Sequence, residues 1–245
     1  MEPETRMCDL VRVTVVFPAY NEAGLLEPAV EKIAQALNEL TRSYEVIIAE
    51  DGSTDGTDKL AAALTEKYHF VKHIHGEKRL GRGTALKNAF KQSCGEFLVY
   101  MDLDLATDLK HLKALVDAVK SEGYELATGS RMLPESYVKR SGTRHIASGT
   151  YNFMVRAVLG SKLKDHQCGF KAFRREPLMQ LLDVVDAKHW FWDTEILVRA
   201  HRRGYRIKEI PVSWKGGRET KVRLLKDSLN MGWQIFSLWW HLKMQ

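Results

Sequence analysis

The chain has 245 residues, 44% of them hydrophobic and 28% charged, with a formal net charge of +6. It is long enough for one substantial core, and its composition is that of a folded globular protein. No stretch reaches the roughly 18–20 apolar residues that span a bilayer, which argues against a transmembrane chain. Three cysteines share no short spacing of a metal cage or redox pair, and the amino terminus lacks a secretory layout.

In chain order, apolar and β-branched runs predict strands at Val13–Phe17, Glu45–Ala49, Val71–His75, Phe97–Met101 and Glu125–Thr128. Helical patterns lie between them near Ala23–Leu40, Asp55–Tyr68, Thr84–Ser93 and Asp108–Ser121. This alternation predicts an α/β fold, with a mostly parallel sheet flanked by helices. The second half is less regular. Six Lys or Arg residues face a single acid, Glu135, between Met132 and Lys164. A short strand at Ala172–Arg174, a helix from Asp193 to Arg203 and a strand at Ile207–Trp214 follow. The tail from Val222 is helical in period, with Leu225, Leu229, Trp233, Phe236 and Trp240 on one apolar face.

Ligands of such sheets sit beyond the carboxyl ends of the strands. Here those ends read Pro18-Ala-Tyr20-Asn-Glu22, Glu50-Asp51-Gly52-Ser53, Asp102-Leu103-Asp104 and Gly129-Ser130-Arg131. Two carboxylates one residue apart at a strand end can hold a hard cation such as Mg²⁺ or Mn²⁺ by oxygen ligands. Taken alone, Asp-x-Asp is commonly a solvated turn. Asp51 precedes a tight turn and can accept from a base or ribose, though a well-made strand-to-helix loop explains it equally. Gly81-Arg82-Gly83-Thr84-Ala85 opens a helix whose amides suit a phosphate, but the motif is weak by itself. His69, His73 and His75 read as surface residues flanking a strand, with no partner cluster for a metal. The basic charge is too dispersed for a nucleic-acid footprint.

In combination these segments, with Asp165-His-Gln-Cys-Gly-Phe-Lys171, Trp192-Asp-Thr-Glu195 and Ile210-Pro-Val-Ser-Trp214, resemble the GT-A (Rossmann-like) fold of glycosyltransferase family 2. The resemblance covers nearly the whole chain and is nearest the polyprenyl-phosphate branch, on its dolichyl-phosphate glucosyltransferase side. It implies a catalytic domain over residues 1–221 and an amphipathic helix over 222–245. It also implies an inverting hexosyltransferase that moves sugar from a nucleotide-sugar donor, UDP-glucose before GDP-mannose, to a polyprenyl or dolichyl phosphate. Pro18, Tyr20, Glu22, Asp51 and the Asp102-Leu103 pair would hold the donor. Asp102 and Asp104 would hold Mg²⁺ or Mn²⁺, and Arg218 and Lys221 would close over the diphosphate. Arg131 and Arg144 would hold the acceptor phosphate, with Asp165 and Glu195 as further catalytic candidates. Ala106 stands where some mannose synthases carry a metal-binding glutamine.

The tail, with Trp239 and Trp240 and the basic Lys221, Arg223 and Lys226, fits a headgroup boundary. It equally fits a terminal helix packed on the core or in a dimer. The expected location is cytoplasmic, peripheral on the cytoplasmic face of a membrane. Rival readings are transfer to a glycan or lipid hydroxyl, with Asp165, Asp193 or Glu195 as base, and a non-catalytic nucleotide-sugar-binding regulator.

Overall fold

The computed structural model of the protein describes residues 11–216 and 224–244, and the side chains of all these but 224–231. Strands β1 (Val13–Ala19), β2 (Tyr44–Glu50), β3 (Val71–Ile74) and β4 (Phe97–Met101) alternate with helices α1 (Ala23–Leu40), α2 (Thr57–Lys67) and α3 (Arg82–Gln92). Then come α4 (Leu112–Lys120), β5 (Leu126–Ser130), β6 (Tyr137–Lys139) and α5 (Gly142–Leu159). The remainder is β7 (Phe170–Arg174), α6 (Arg175–Leu182), α7 (Trp192–Arg202), β8 (Ile207–Pro211), β9 (Ser213–Lys215) and α8 (Leu224–Met244).

The described strands build a seven-stranded sheet in the order β3-β2-β1-β4-β7-β5-β8, with β6 and β9 as a separate parallel pair. Only β7 runs antiparallel to its neighbours β4 and β5. Successive side chains point to opposite faces of a strand, so a strand buried on both faces reads as an unbroken apolar run. Accordingly Val13, Val15 and Phe17 enter one core with α1, α2 and α4, whereas Val16 enters another with α3, α6 and α7. In α1, Leu26, Ala29, Val30, Ile33 and Leu37 recur at helical spacing and are all buried.

The expected fold class is the observed one. Two differences have plain causes. The run Ile207–Trp214 is split, because β8 pairs with β5 while β9 leaves the sheet to pair with β6. The basic stretch 132–164, which has no helical signal in the sequence reading, contains α5. Three glycines among its residues (142, 149 and 160, the last as its cap) and several β-branched residues dilute the period, and only Tyr151, Asn152, Val155 and Leu159 are buried.

The sheet opens at one place. Pairing of β1 with β2 runs to Ala19–Glu50, but pairing of β1 with β4 stops at Val16–Tyr100. The Ala19 carbonyl accepts from Asp51 N at 2.9 Å on the β2 side. The nitrogen of Pro18, which cannot donate, therefore faces the β4 side where the ladder has ended. That parting is the switch point of the strand order, where open α/β sheets place their ligands.

Candidate active site

On one wall of the parting stands the loop after β4. Asp102 N donates to Gly169 O (3.2 Å), Leu105 N donates to Asp102 O (3.1 Å), and Ala106 N donates to Asp104 Oδ1 (3.0 Å). Leu105 adopts φ +48°. A branched side chain in left-handed backbone is strained, and such strain gathers at functional sites. The other described non-glycine residue with positive φ, Asn21 at +54°, lies on the facing wall. Gly169 leaves room there for the Asp102 carboxylate, which a Cβ would displace. Burial raises the Asp102 pKa, the Arg82 charge opposes this, and the neighbouring Asp104 charge adds to the rise. Leu103 is 5% exposed and belongs to the core, so it meets the site by backbone alone.

From Asp102 a chain of polar contacts runs inward. Arg82 Nη2 bonds Asp102 Oδ1 and the Tyr100 hydroxyl (2.8 Å), and its guanidinium lies over the rings of Tyr100 and Trp190. The Tyr100 hydroxyl donates to Asp193 Oδ1, which also receives Lys171 Nζ at 2.6 Å. Burial pushes the Tyr100 pKa well up, which keeps it an O–H donor. Sequence reading missed Arg82, Tyr100 and Lys171 as a unit. Only the antiparallel register, Tyr100 against Lys171, brings them together.

The glycines beside Arg82 serve packing. A Cβ at Gly81 (φ +105°) would strike Lys188 O and the His189 ring, and one at Gly83 would strike Ala187 O. That opposing loop is held by Glu195, which accepts from Asp186 N (3.2 Å), Ala187 N (2.8 Å) and Arg199 Nε (2.7 Å). Glu195 thus lies behind the loop that backs Arg82 and positions it.

The facing wall is equally tied. Asp51 accepts from Leu80 N (2.7 Å) and Gly81 N (2.8 Å). Asn21 N donates to Ser53 Oγ, Thr54 N donates to Asn21 Oδ1, and Glu22 N donates to Thr57 Oγ1. Arg79 lies 3.9 Å above the Tyr20 ring. Pro18, Tyr20, Glu22 and Asp51 are therefore brought together opposite Asp102 and Asp104.

The basic side of the site follows β5. Arg131 donates from N, Nε and Nη2 to the Asp165 carboxylate at 2.7–2.9 Å, and Gln167 N completes its cradle. Asp165 is fully buried, and although burial opposes it, Arg131 and these donors hold its pKa well below the usual carboxylate range. Arg140 stands within electrostatic reach of Arg131. Burial foremost, then the Arg131 charge, lowers its pKa, and its Nε is buried without a partner. The sequence singled out Arg144, which is half-buried in the first turn of α5; Arg140 it counted only as one of six basic residues. Arg218 and Lys221 lie outside the described residues.

Beside Asp165, His166 is fully buried, its ring nitrogens 2.8 Å from Asn152 Oδ1 and Ser161 Oγ. Burial lowers its pKa to about 4. Its folded pKa lies below the unfolded value near 6.5, so the unfolded chain gains the proton first as pH falls. Stability is expected to decline by about 3 kcal/mol between pH 6.5 and 4 through this group. Urea unfolding across that range checks it, and His166→Gln is expected to remove that part of the slope.

Residues 14–182 match the profile described as Glycosyl transferase family 2. The chain belongs to that family. Among similar proteins, the glycosyltransferase AglD of Haloferax volcanii is 48% identical over 234 residues, which are 95% of this chain. The chain spans only 38% of AglD's length. A dolichyl-phosphate beta-glucosyltransferase of Dictyostelium discoideum is 30% identical over 240 residues, covering 93% of this chain and 73% of that one. Among solved structures, glucosyl-3-phosphoglycerate synthase of Mycobacterium tuberculosis, crystallised with Mn²⁺, UDP-glucose and phosphoglyceric acid, superposes with a TM-score of 0.70. At 20% identity, over 95% of this chain and 80% of that one, this likeness is one of fold. The sheet with its flanking helices thus has the fold of GT-A glycosyltransferases.

Proposed function

We propose that this family-2 glycosyltransferase moves a hexose, with glucose from UDP-glucose favoured, to a polyprenyl or dolichyl phosphate with inversion at the anomeric carbon. The observation that carries this reading is the charge arrangement after β5. The acids that could act as base for a hydroxyl acceptor are each occupied: Asp165 by Arg131, Asp193 by Lys171 and Tyr100, and Glu195 by Arg199 and loop amides. Arg131 carries Asp165 as its own counter-charge, but Arg140 stands beside it with no ion pair to a carboxylate among the described residues, so the two leave one cation in excess near the carboxylate loop. A phosphate monoester with a second pKa near about 6 is already largely dianionic at neutral pH, so it needs cations more than a base.

On this reading Pro18, Tyr20, Glu22 and Asp51 line the nucleoside side of the parting. Asp102 and Asp104 face the diphosphate. Two adjacent oxygen-donor side chains, with the Asp104 charge raising the proton affinity of Asp102, suit a hard divalent cation, and the solved structures of this fold hold Mn²⁺ or Mg²⁺. A cation bound there would neutralise the leaving diphosphate. Arg82, bound to Asp102, fixes that carboxylate from behind, and Arg131 and Arg140, with Arg144 in the first turn of α5, orient the acceptor phosphate. A lipid phosphate oxygen then bonds to the anomeric carbon as the bond from that carbon to the nucleoside diphosphate breaks. An α-linked donor gives a β-linked lipid phosphosugar.

The membrane supplies this acceptor. No helix among the described residues is long and apolar enough to cross a bilayer. Instead α8 buries Ile235 and Leu238 against Tyr151, Val155 and Phe191, while Trp233, Phe236 and Trp240 stay exposed. Its neighbour α5 exposes Ile146 and Phe153. Exposed aromatic and aliphatic groups of this kind fit a bilayer interface, and the proposed location is peripheral, on the face that a nucleotide-sugar reaches.

The test is incubation with radiolabelled UDP-glucose, UDP-N-acetylglucosamine or GDP-mannose and dolichyl phosphate, with and without EDTA. Labelled lipid from UDP-glucose that EDTA suppresses is the expected result. Donor binding without labelled lipid from any donor would overturn the lipid-phosphate assignment.

A further inference from the structure

We propose that Glu50, His73 and His75 form a zinc-class metal site at the outer edge of the sheet, separate from the Asp102–Asp104 pair. The sequence reading found no partner for these histidines. The fold supplies one from another strand. β3 is an edge strand whose register with β2 sets His73 opposite Ile48 and carries His75 level with Glu50. Two residues apart, the imidazoles point to the same face. Their ring centroids are 5.9 Å apart, and His75 Nδ1 lies 2.6 Å from Glu50 Oε2. One ligand atom from each of the three residues lies within 4.8 Å of the other two.

Three features favour a cation over a plain ion pair. The Glu50 side chain has no solvent exposure, so its charge depends on what faces it. The His73 Nε2 atom is buried and has no hydrogen-bond partner, an uncommon state for a ring nitrogen that coordination would relieve. The second Glu50 oxygen accepts from Ser53 N, the kind of outer contact that orients a ligating carboxylate. Half-exposed His75 leaves a path for entry.

Tetrahedral zinc bound at about 2.0–2.1 Å sets ligand atoms about 3.3 Å apart, within reach of small side-chain rotations here. Two imidazoles and a carboxylate leave the fourth position to water. This donor set selects a borderline cation such as Zn²⁺ or Co²⁺, whereas the all-oxygen pair at Asp102 and Asp104 selects Mg²⁺ or Mn²⁺. Because Glu50 immediately precedes Asp51, an ion here also clamps the turn against the donor wall.

Metal-stripped protein is titrated with Zn²⁺ by calorimetry in excess Mg²⁺, and with Co²⁺ by visible absorption. Wild type and Asp104→Asn are expected to bind one equivalent of Zn²⁺ alike and to give the intense Co²⁺ bands of four-coordination. In His73→Gln and in His75→Gln, with folding checked by circular dichroism, affinity is expected to fall at least about tenfold. His75 is half-exposed, so its replacement leaves the fold intact. Absence of Zn²⁺ binding by folded wild type overturns the proposal, as does binding lost in Asp104→Asn but kept in both histidine variants. None of these readouts depends on sugar transfer.

Discussion

Replacing Asp104 with alanine is expected to lower sugar transfer at least about a thousandfold, since metal stabilisation of a leaving diphosphate amounts to several kcal/mol. The same variant should unfold within about 0.5 kcal/mol of wild type, as exposed substitutions ordinarily do. Asp104 is exposed, and its carboxylate accepts from Ala106 N within its own turn. Asp102 is a poorer choice for the experiment. Its removal strands the Arg82 guanidinium, whose side chain is only 15% exposed, so activity and stability would fall together. Transfer assays and thermal melts on Asp104→Ala separate the two. Retained metal-dependent transfer in that variant would remove Asp104 from the cation site.

The second large effect is on folding. Asp165→Asn keeps the shape of the side chain but leaves Arg131, 12% exposed, without its counter-charge. Breaking a buried pair by removing one partner costs about 3–5 kcal/mol. In a chain of this size that is a fall of about 6–20 °C in Tm. Arg131→Met in the same chain should recover part of the loss, because both charges are then gone. The pH dependence has a definite sign. The folded pKa of Asp165 is depressed, so its contribution is complete above the unfolded carboxylate value near 3.9 and is lost as pH falls below that. The asparagine variant should therefore show a flatter acid limb in denaturant titrations. Since Asp165 aims Arg131, its transfer activity should drop as well.

Much of the first half was legible from residues alone. A strand buried on both faces is apolar at nearly every position, and Val13–Phe17, with Thr14 as its exception, and Phe97–Met101 satisfy that without regard to context. Strand ends loaded with Asp51, Asp102 and Asp104 point to one edge because a parallel sheet puts all its carboxyl ends there. What escaped the sequence depends on partners far apart in the chain. Glu50 and His75 meet through strand register, and Tyr100 and Lys171 through a reversed strand pair. Arg140 differs from its basic neighbours in a guanidinium Nε that is buried without a partner, a property no local pattern encodes. The helix α5 escaped for a different reason: its glycines and exposed Ile146 and Phe153 blur the alternation of faces on which helix prediction rests.

The single reversed strand has a consequence for how such an enzyme can diversify. Because β7 runs against β4 and β5, the chain leaves β5 at Ser130 and returns to β7 at Phe170 on the same rim of the sheet. Everything between is an excursion anchored at both ends beside Asp102, by Arg131 on departure and by Gly169 on arrival. On the proposed assignment the donor is read by loops of the parallel half and the acceptor by this excursion. Its length and chemistry can then be exchanged without re-registering any central strand. A hybrid carrying a relative's 131–169 segment would be expected to change the molecule that receives the sugar while keeping the one that gives it.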